Sequence, residues 1–225
     1  MKKTLDIARC ICVAVSLGSA TIASLSGCAI AAVIGGAAES YHYNSSSEHP
    51  ADYEGLSAHS FAVYVTADRV IQADHPELIA RVAGVVNQAL AENAGATGYI
   101  PTQTMLNAQF NNPQWNLLPR GELAEVLEVD RLVSVEVMEY RLTEAGNRYV
   151  WDGLADAHVE VYEADSSFPD EPSYDKFVTV RFPDLSGVLR EEVPENVVNS
   201  ELARRLTDRV KWLFYTHDEP NSIKY

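Results

Sequence analysis

Four stretches of the chain have the patterns of β-strands: the first is a short apolar run, and in the other three apolar and polar residues alternate with a period of two. The stretches are 61–65, 131–142, 149–163 and 176–182. In the third stretch, the odd positions from Ala155 to Val161 are apolar and the even ones are polar. Such a strand packs one face on a core and turns the other to water.

Apolar residues recur at steps of three and four in three other stretches, 75–93, 120–128 and 195–216, which predicts amphipathic helices. Asp74 suits the N-cap of the first helix, with Pro76 in its first turn. A brief strand at 98–101 and one or two helical turns at 102–110 complete the pattern.

The resulting order is β-α-β-α-β-β-β-α. A β-α-β start implies parallel strands joined by a right-handed crossover, and the later strands form an antiparallel meander. We therefore predict an α+β sandwich whose mixed, largely antiparallel sheet is covered by helices on one face. The globular domain is predicted over residues 58–217, followed by a tail at 218–225.

The first 27 residues are typical of a bacterial lipoprotein signal peptide. Lys2, Lys3 and Arg9 form a positive region, followed by an uncharged apolar stretch over 10–23. The next residues, Leu25-Ser26-Gly27-Cys28, resemble a lipobox. In a lipobox, small residues fit the narrow protease site, and we expect the thiol of Cys28 to form a thioether to diacylglycerol before cleavage.

Two alternatives to lipidation remain at this stage. No charged residue occurs over 10–38, a length that is sufficient for an uncleaved transmembrane helix. Secretion without a lipid is the other alternative. The pair Gly35-Gly36 and the many small residues disfavour a stable helix, so lipidation of Cys28 is the preferred interpretation.

Residues 28–57 are predicted to be the lipidated cysteine and a flexible tether, because they are rich in small and polar residues. Acyl chains on Cys28, such as palmitate, then provide the membrane anchor. Ala29 follows the cysteine, and a residue other than aspartate there favours the periplasmic face of the outer membrane under the usual sorting rule.

The net charge and the cysteine content limit the classes of partner and the kinds of metal site or disulfide that the chain can have. The chain has 17 basic and 32 acidic residues, for a net charge of −15. Residues 1–27 hold three of the basic residues and one acidic residue, so their removal leaves −17. Nucleic acid is therefore excluded as a partner. Cys10 and Cys12 leave with the signal peptide, so the mature domain has no internal disulfide and no thiolate metal site.

The element order also resembles a known family of bacterial envelope lipoproteins. The family includes the curli secretion channel lipoprotein, the N-terminal domain of the Tol–Pal translocation protein and a lipoprotein activator of a penicillin-binding protein. The segments that carry the resemblance are Val63-Tyr64-Val65, residues 85–99, the helix and turn at 123–130, and the strand opening at 131–137.

This resemblance implies a non-catalytic periplasmic module that docks onto an envelope protein or forms a homo-oligomer at the membrane. Two positions depart from the family pattern, since Val129 and Ser134 replace glycines. The membrane-crossing hairpins of the curli channel are not evident in this sequence, so pore formation is not implied.

The candidate chemistry is confined to one strand, where Asp152, Asp156, His158 and Glu160 are expected on the same face. Carboxylates and an imidazole at this spacing are weak candidates for metal ligands. The plainer interpretation is the solvated face of a strand in an acidic protein. The motifs of serine hydrolases, zinc proteases and nucleotide-binding loops do not occur in the sequence. We therefore expect no cofactor and no enzyme activity, with a metal-dependent or hydrolytic enzyme as the alternative.

Overall fold

The structure is a computed structural model that describes residues 45–221. The signal peptide, the lipobox residues Leu25, Ser26 and Gly27, and Cys28 lie outside this range. Among the described residues, no helix is both long and apolar enough to cross a membrane. The stretch 10–38, the alternative transmembrane helix, also lies outside them.

The described range contains seven strands, five α-helices and one 3-10 turn. The strands are β1 (Ser46–His49), β2 (Ser60–Ala67), β3 (Gly98–Tyr99), β4 (Arg131–Arg141), β5 (Gly153–Glu163), β6 (Tyr174–Phe182) and β7 (His217–Pro220). The helices are α1 (Arg69–Asp74), α2 (Leu78–Asn93), α3 (Thr102–Asn111), α4 (Arg120–Val126) and α5 (Glu195–Lys211), and the 3-10 turn is Pro113–Leu117.

Five strands form one mixed sheet in the order β3-β2-β4-β5-β6, while β1 and β7 form a separate two-stranded sheet. In the larger sheet, β2 runs parallel to both β3 and β4, as the crossover through the helices requires. The pairs β4–β5 and β5–β6 are antiparallel and form the meander. The predicted α+β class and mixed sheet are confirmed.

The main core lies between the sheet and the two long helices. Val63, Val135 and Val159 project to this side from β2, β4 and β5, and they meet Val86 of α2 and Leu206 of α5. The two long helices therefore cover one face of the sheet, as predicted. A smaller cluster fills part of the opposite face, where α3 and α4 pack over β2 and β4.

Helix boundaries differ from the prediction at both long helices. The first long helix begins at Leu78 rather than at 75, because Asp74 ends a separate short helix, α1. The carboxylate of Asp68 caps α1 by accepting from the backbone N–H of Ile71 at 2.7 Å. The last helix ends at Lys211, and the chain then enters β7 instead of continuing as helix to 216.

The globular body begins before residue 58, so the end of the predicted tether belongs to the fold. One compact unit runs from Glu48 to His217. Within it, Leu56 is fully buried, and the backbone carbonyl of Gly55 accepts from Arg131 Nε at 3.2 Å. The backbone N–H groups of Asp52 and Tyr53 both donate to the carbonyl of Leu213. The mainly polar sequence concealed these long-range contacts.

Candidate functional site

The face of the sheet opposite the main core is exposed over much of β4, β5 and β6. We call this surface the open face, and it is formed by Glu136, Met138, Asp156, His158, Glu160, Asp175 and Phe177. Met138 is 54% exposed and Phe177 is 64% exposed. The open face therefore combines exposed apolar side chains with acidic ones.

Alternation along β5 places the polar residues on the open face. Ala155, Ala157 and Val159 are buried in the main core, so the residues between them point the opposite way. His158 and Glu160 consequently lie on one side of the strand, and both are half-buried. This arrangement follows from the sequence pattern.

The register between β5 and β6 adds two residues to this group. Glu160 lies directly opposite Asp175, and His158 lies directly opposite Phe177. His158 Nε2 is 2.9 Å from Asp175 Oδ1, and its ring stacks on Phe177 at a centroid distance of 4.3 Å. An imidazole thus connects two strands beside a pair of facing carboxylates.

A neighbouring tyrosine borders the acidic pair. Burial raises the pKa of Tyr162, and the nearby carboxylate of Glu160 raises it further. The phenol therefore stays neutral, so the negative charge at this end of the open face comes from the carboxylates alone.

Three of these side chains have the chemistry and spacing of metal ligands. One ligand atom each from His158, Glu160 and Asp175 lies within 4.8 Å of the others. An imidazole with two carboxylates is a donor set that suits divalent transition metals. The hydrogen bond between His158 and Asp175 already gives each of them a partner without an ion.

The four residues selected from the sequence are only partly brought together. His158 and Glu160 join the cluster, whereas Asp152 precedes β5 and lies near two arginines, 3.6 Å from Arg141 and 3.9 Å from Arg181. Asp156 lies on the open face, but it is not one of the three clustered residues. Its Oδ1 is buried and has no hydrogen-bond partner in the described range.

Sequence reasoning missed Asp175 and Phe177. Asp175 immediately precedes the predicted strand 176–182, and the observed strand begins at Tyr174. Alternation along β6 would have placed Asp175 and Phe177 on one face, but it does not reveal which residues of β5 they meet. The residues of the lipobox and Cys28 lie outside the described range.

No protein-family model matches the chain, and no curated protein matches it significantly. Several solved structures are weakly similar to this chain. Lipoprotein GNA1162 from Neisseria meningitidis is 10% identical, with 67% of this chain and 96% of that chain covered and a TM-score of 0.41.

Two further solved structures are similar to a comparable extent. The PelC dodecamer from Paraburkholderia phytofirmans is 10% identical, with 76% of this chain and 96% of that chain covered and a TM-score of 0.43. Protein XCC0632 from Xanthomonas campestris is 10% identical, with 71% and 83% covered and a TM-score of 0.43. Likenesses this weak carry no inference about what this chain binds or how it assembles.

Proposed function

We propose that this protein is a bacterial envelope lipoprotein, anchored through Cys28, whose domain binds a basic segment of another envelope protein without catalysing a reaction. The lipobox-like sequence before Cys28 supports the anchor. The open face supports the binding role. We place the domain at the periplasmic face of the outer membrane, because Ala29 follows the cysteine.

The observation that carries the binding role is the facing pair Glu160 and Asp175. Like charges directly opposite each other on neighbouring strands destabilise a sheet. The pair is therefore expected to gain stability when a cation lies between the carboxylates. A lysine or arginine side chain of a partner supplies that charge, and its aliphatic stem packs on the exposed ring of Phe177.

A second copy of this chain is a poor occupant of the same surface. It would bring an identical acidic face and, after removal of residues 1–27, a further net charge of −17. Opposite potentials favour association and like potentials oppose it. A homo-oligomer, if one forms, is therefore expected to use a different surface.

Binding of a defined basic peptide tests this proposal. The full-length protein, in non-ionic detergent, is titrated into a fluorescent arginine-rich decapeptide at physiological salt. The double variant Glu160→Gln/Asp175→Asn removes the facing carboxylates. The control Glu144→Gln/Glu171→Gln removes the same charge from exposed positions off the open face.

We expect the first double variant to weaken binding by at least about tenfold and the control by less than about twofold. Phe177→Ser should weaken binding without changing the charge. Equal losses of affinity in the two double variants would mean that peptide binding depends only on the overall charge of the protein. That result would contradict a specific role for the open face.

A divalent cation is the second candidate ligand of the open face. A bound cation would make the alternative function, a metal-dependent or hydrolytic enzyme, chemically feasible. The observation in its favour is the proximity of His158, Glu160 and Asp175, which come from two strands. Thermal unfolding with about 1 mM zinc or manganese separates the candidates, because a ligand of the folded state raises Tm. A rise in Tm that Glu160→Gln abolishes would support the cation. An unchanged Tm would exclude it and leave the basic segment as the occupant.

A further inference from the structure

A cleft of about 460 Å³ lies at the carboxyl end of β2, and of the residues that form the open face only Glu136 lines it. Strand β3 pairs only with Ser60 and Phe61, so the edge of β2 beyond them has no strand neighbour in the described range. Side chains of α1, α2, α3 and α4 surround the space instead. Ligands commonly bind at the carboxyl ends of parallel strands.

Arg120, at the start of α4, lines this cleft. Its guanidinium lies over the ring of Tyr64, with Cζ 4.8 Å from the ring centroid. Nη1 is buried and has no hydrogen-bond partner within residues 45–221. Arg120 therefore presents a fixed positive charge at the cleft, and its other N–H groups can donate to an anionic ligand.

The position of Arg120 is fixed by the residue that follows it. The backbone N–H of Gly121 donates to Asp170 Oδ1 at 3.1 Å. A Cβ at position 121 would lie 2.7 Å from the backbone of Pro169, so only glycine permits this approach. The loop after β5 thereby holds the beginning of α4, and Arg120 with it, against the sheet.

A further polar group at the cleft is suited to an anion. Asn116 accepts a hydrogen bond from the hydroxyl of Tyr64 through its Oδ1. Its amide nitrogen is therefore available to donate. Asn116 and Arg120 both line the cleft, and both offer N–H groups to a carboxylate.

The opposite side of the cleft is apolar. Ile79 of α2 and Leu106 and Phe110 of α3 line it, and Phe110 is 87% exposed. A ligand that covers this exposed ring removes apolar surface from water, which favours binding. Glu136 also lines the space and disfavours a ligand with a second negative charge.

We propose that this cleft binds a small monocarboxylate with an apolar tail, whose carboxylate pairs with Arg120 and whose tail packs on Phe110. The volume suits a ligand of two amino acids or a short acyl chain. The same chemistry is presented by a peptide C-terminus and by a free carboxylic acid. This site does not depend on the partner proposed for the open face.

Calorimetric titration of the full-length protein in detergent tests the site with N-acetyl-leucyl-phenylalanine, its C-terminal amide and hexanoate. We expect the dipeptide acid to bind at least about tenfold more tightly than its amide, because the amide lacks the charge. Binding of hexanoate alone identifies a free acid as the ligand and also supports the proposal. Failure of both acids to bind overturns it.

Variants separate a ligand-binding role of Arg120 from a structural one. Arg120→Met removes the unpaired donor, so we expect loss of binding with an equal or higher Tm. Arg148→Gln, at an exposed position, is the matched control and should bind normally. Phe110→Ser changes an exposed residue and should weaken binding of the dipeptide. The proposal is overturned if Arg120→Met still binds the dipeptide. It is also overturned if Arg120→Met and Phe110→Ser lose binding and both have a lower Tm than the wild type.

Discussion

The imidazole of His158 lies flat against the phenyl ring of Phe177, with 6° between the ring planes and 4.3 Å between the centroids. The two residues are direct neighbours across β5 and β6. The exposed ring of Phe177 and the carboxylates of Glu160 and Asp175 thus lie side by side on the open face. A cationic side chain with an aliphatic stem matches both halves of this surface.

The burial of Leu56 predicts that the segment before β2 stabilises the domain. Leu56 is 0% exposed and packs in the main core. We expect Leu56→Ala to lower the free energy of unfolding by about 2–5 kcal/mol, as measured by urea denaturation. The adjacent exposed Ser57→Ala should change it by less than about 0.5 kcal/mol. Equal small effects would mean that residues 50–57 form part of the tether.

The backbone at Glu128 predicts a stabilising substitution. Glu128 follows α4 with φ of 55°, in the left-handed region that favours glycine. We expect Glu128→Gly to raise the free energy of unfolding by up to about 1 kcal/mol. Glu125→Gly, inside the same helix, should lower it by about 1 kcal/mol. Destabilisation by both substitutions would show that the Glu128 side chain contributes more than its backbone costs.

A carboxyl group on α5 predicts loss of stability in acid. Glu201 accepts hydrogen bonds from Arg204 Nη2 at 2.6 Å and Arg205 Nε at 3.0 Å, and the bond from Arg204 holds the pKa of Glu201 below its usual range. A carboxyl with a lowered pKa stabilises the fold above its unfolded pKa, and this contribution is lost as pH falls through the folded pKa.

We therefore expect Glu201→Gln to lower the free energy of unfolding at pH 7. Its difference from the wild type should shrink as pH falls below about 5, because the carboxyl is protonated first in the unfolded chain and, at lower pH, in the folded protein as well. Urea denaturation followed by circular dichroism at several pH values measures this difference. A difference that stays constant down to pH 3 would mean that Glu201 acts through packing and not through its charge.

Periodicity predicted the elements that have one face in the core. Strands β4, β5 and β6 and both long helices each present a regular apolar stripe, so their existence could be read from the sequence. Helix α1 was not predicted because Ile71 is its only buried residue, so it has no apolar stripe. Strands β1 and β7, with the sequences SSEH and HDEP, have no apolar alternation to detect.

The candidate site was predictable only within one strand. Alternation put His158 and Glu160 on the same face, because side chains two residues apart point the same way. The partnership with Asp175 depends on strand register, which is set by the packing of β6 and by the loop before it. The position of the Arg120 guanidinium depends on its contact with Tyr64, a residue distant in sequence, so no local pattern reveals it.

The lipid anchor is the central claim, and mass spectrometry of the mature N-terminus in fractionated membranes tests it most directly. The account predicts that the chain begins at Cys28, that this residue carries acyl chains, and that the protein is in the outer membrane fraction. Cys28→Ala should release the protein from membranes, whereas Cys12→Ala should not. A chain that begins elsewhere, or that stays in the membrane as Cys28→Ala, would contradict the claim.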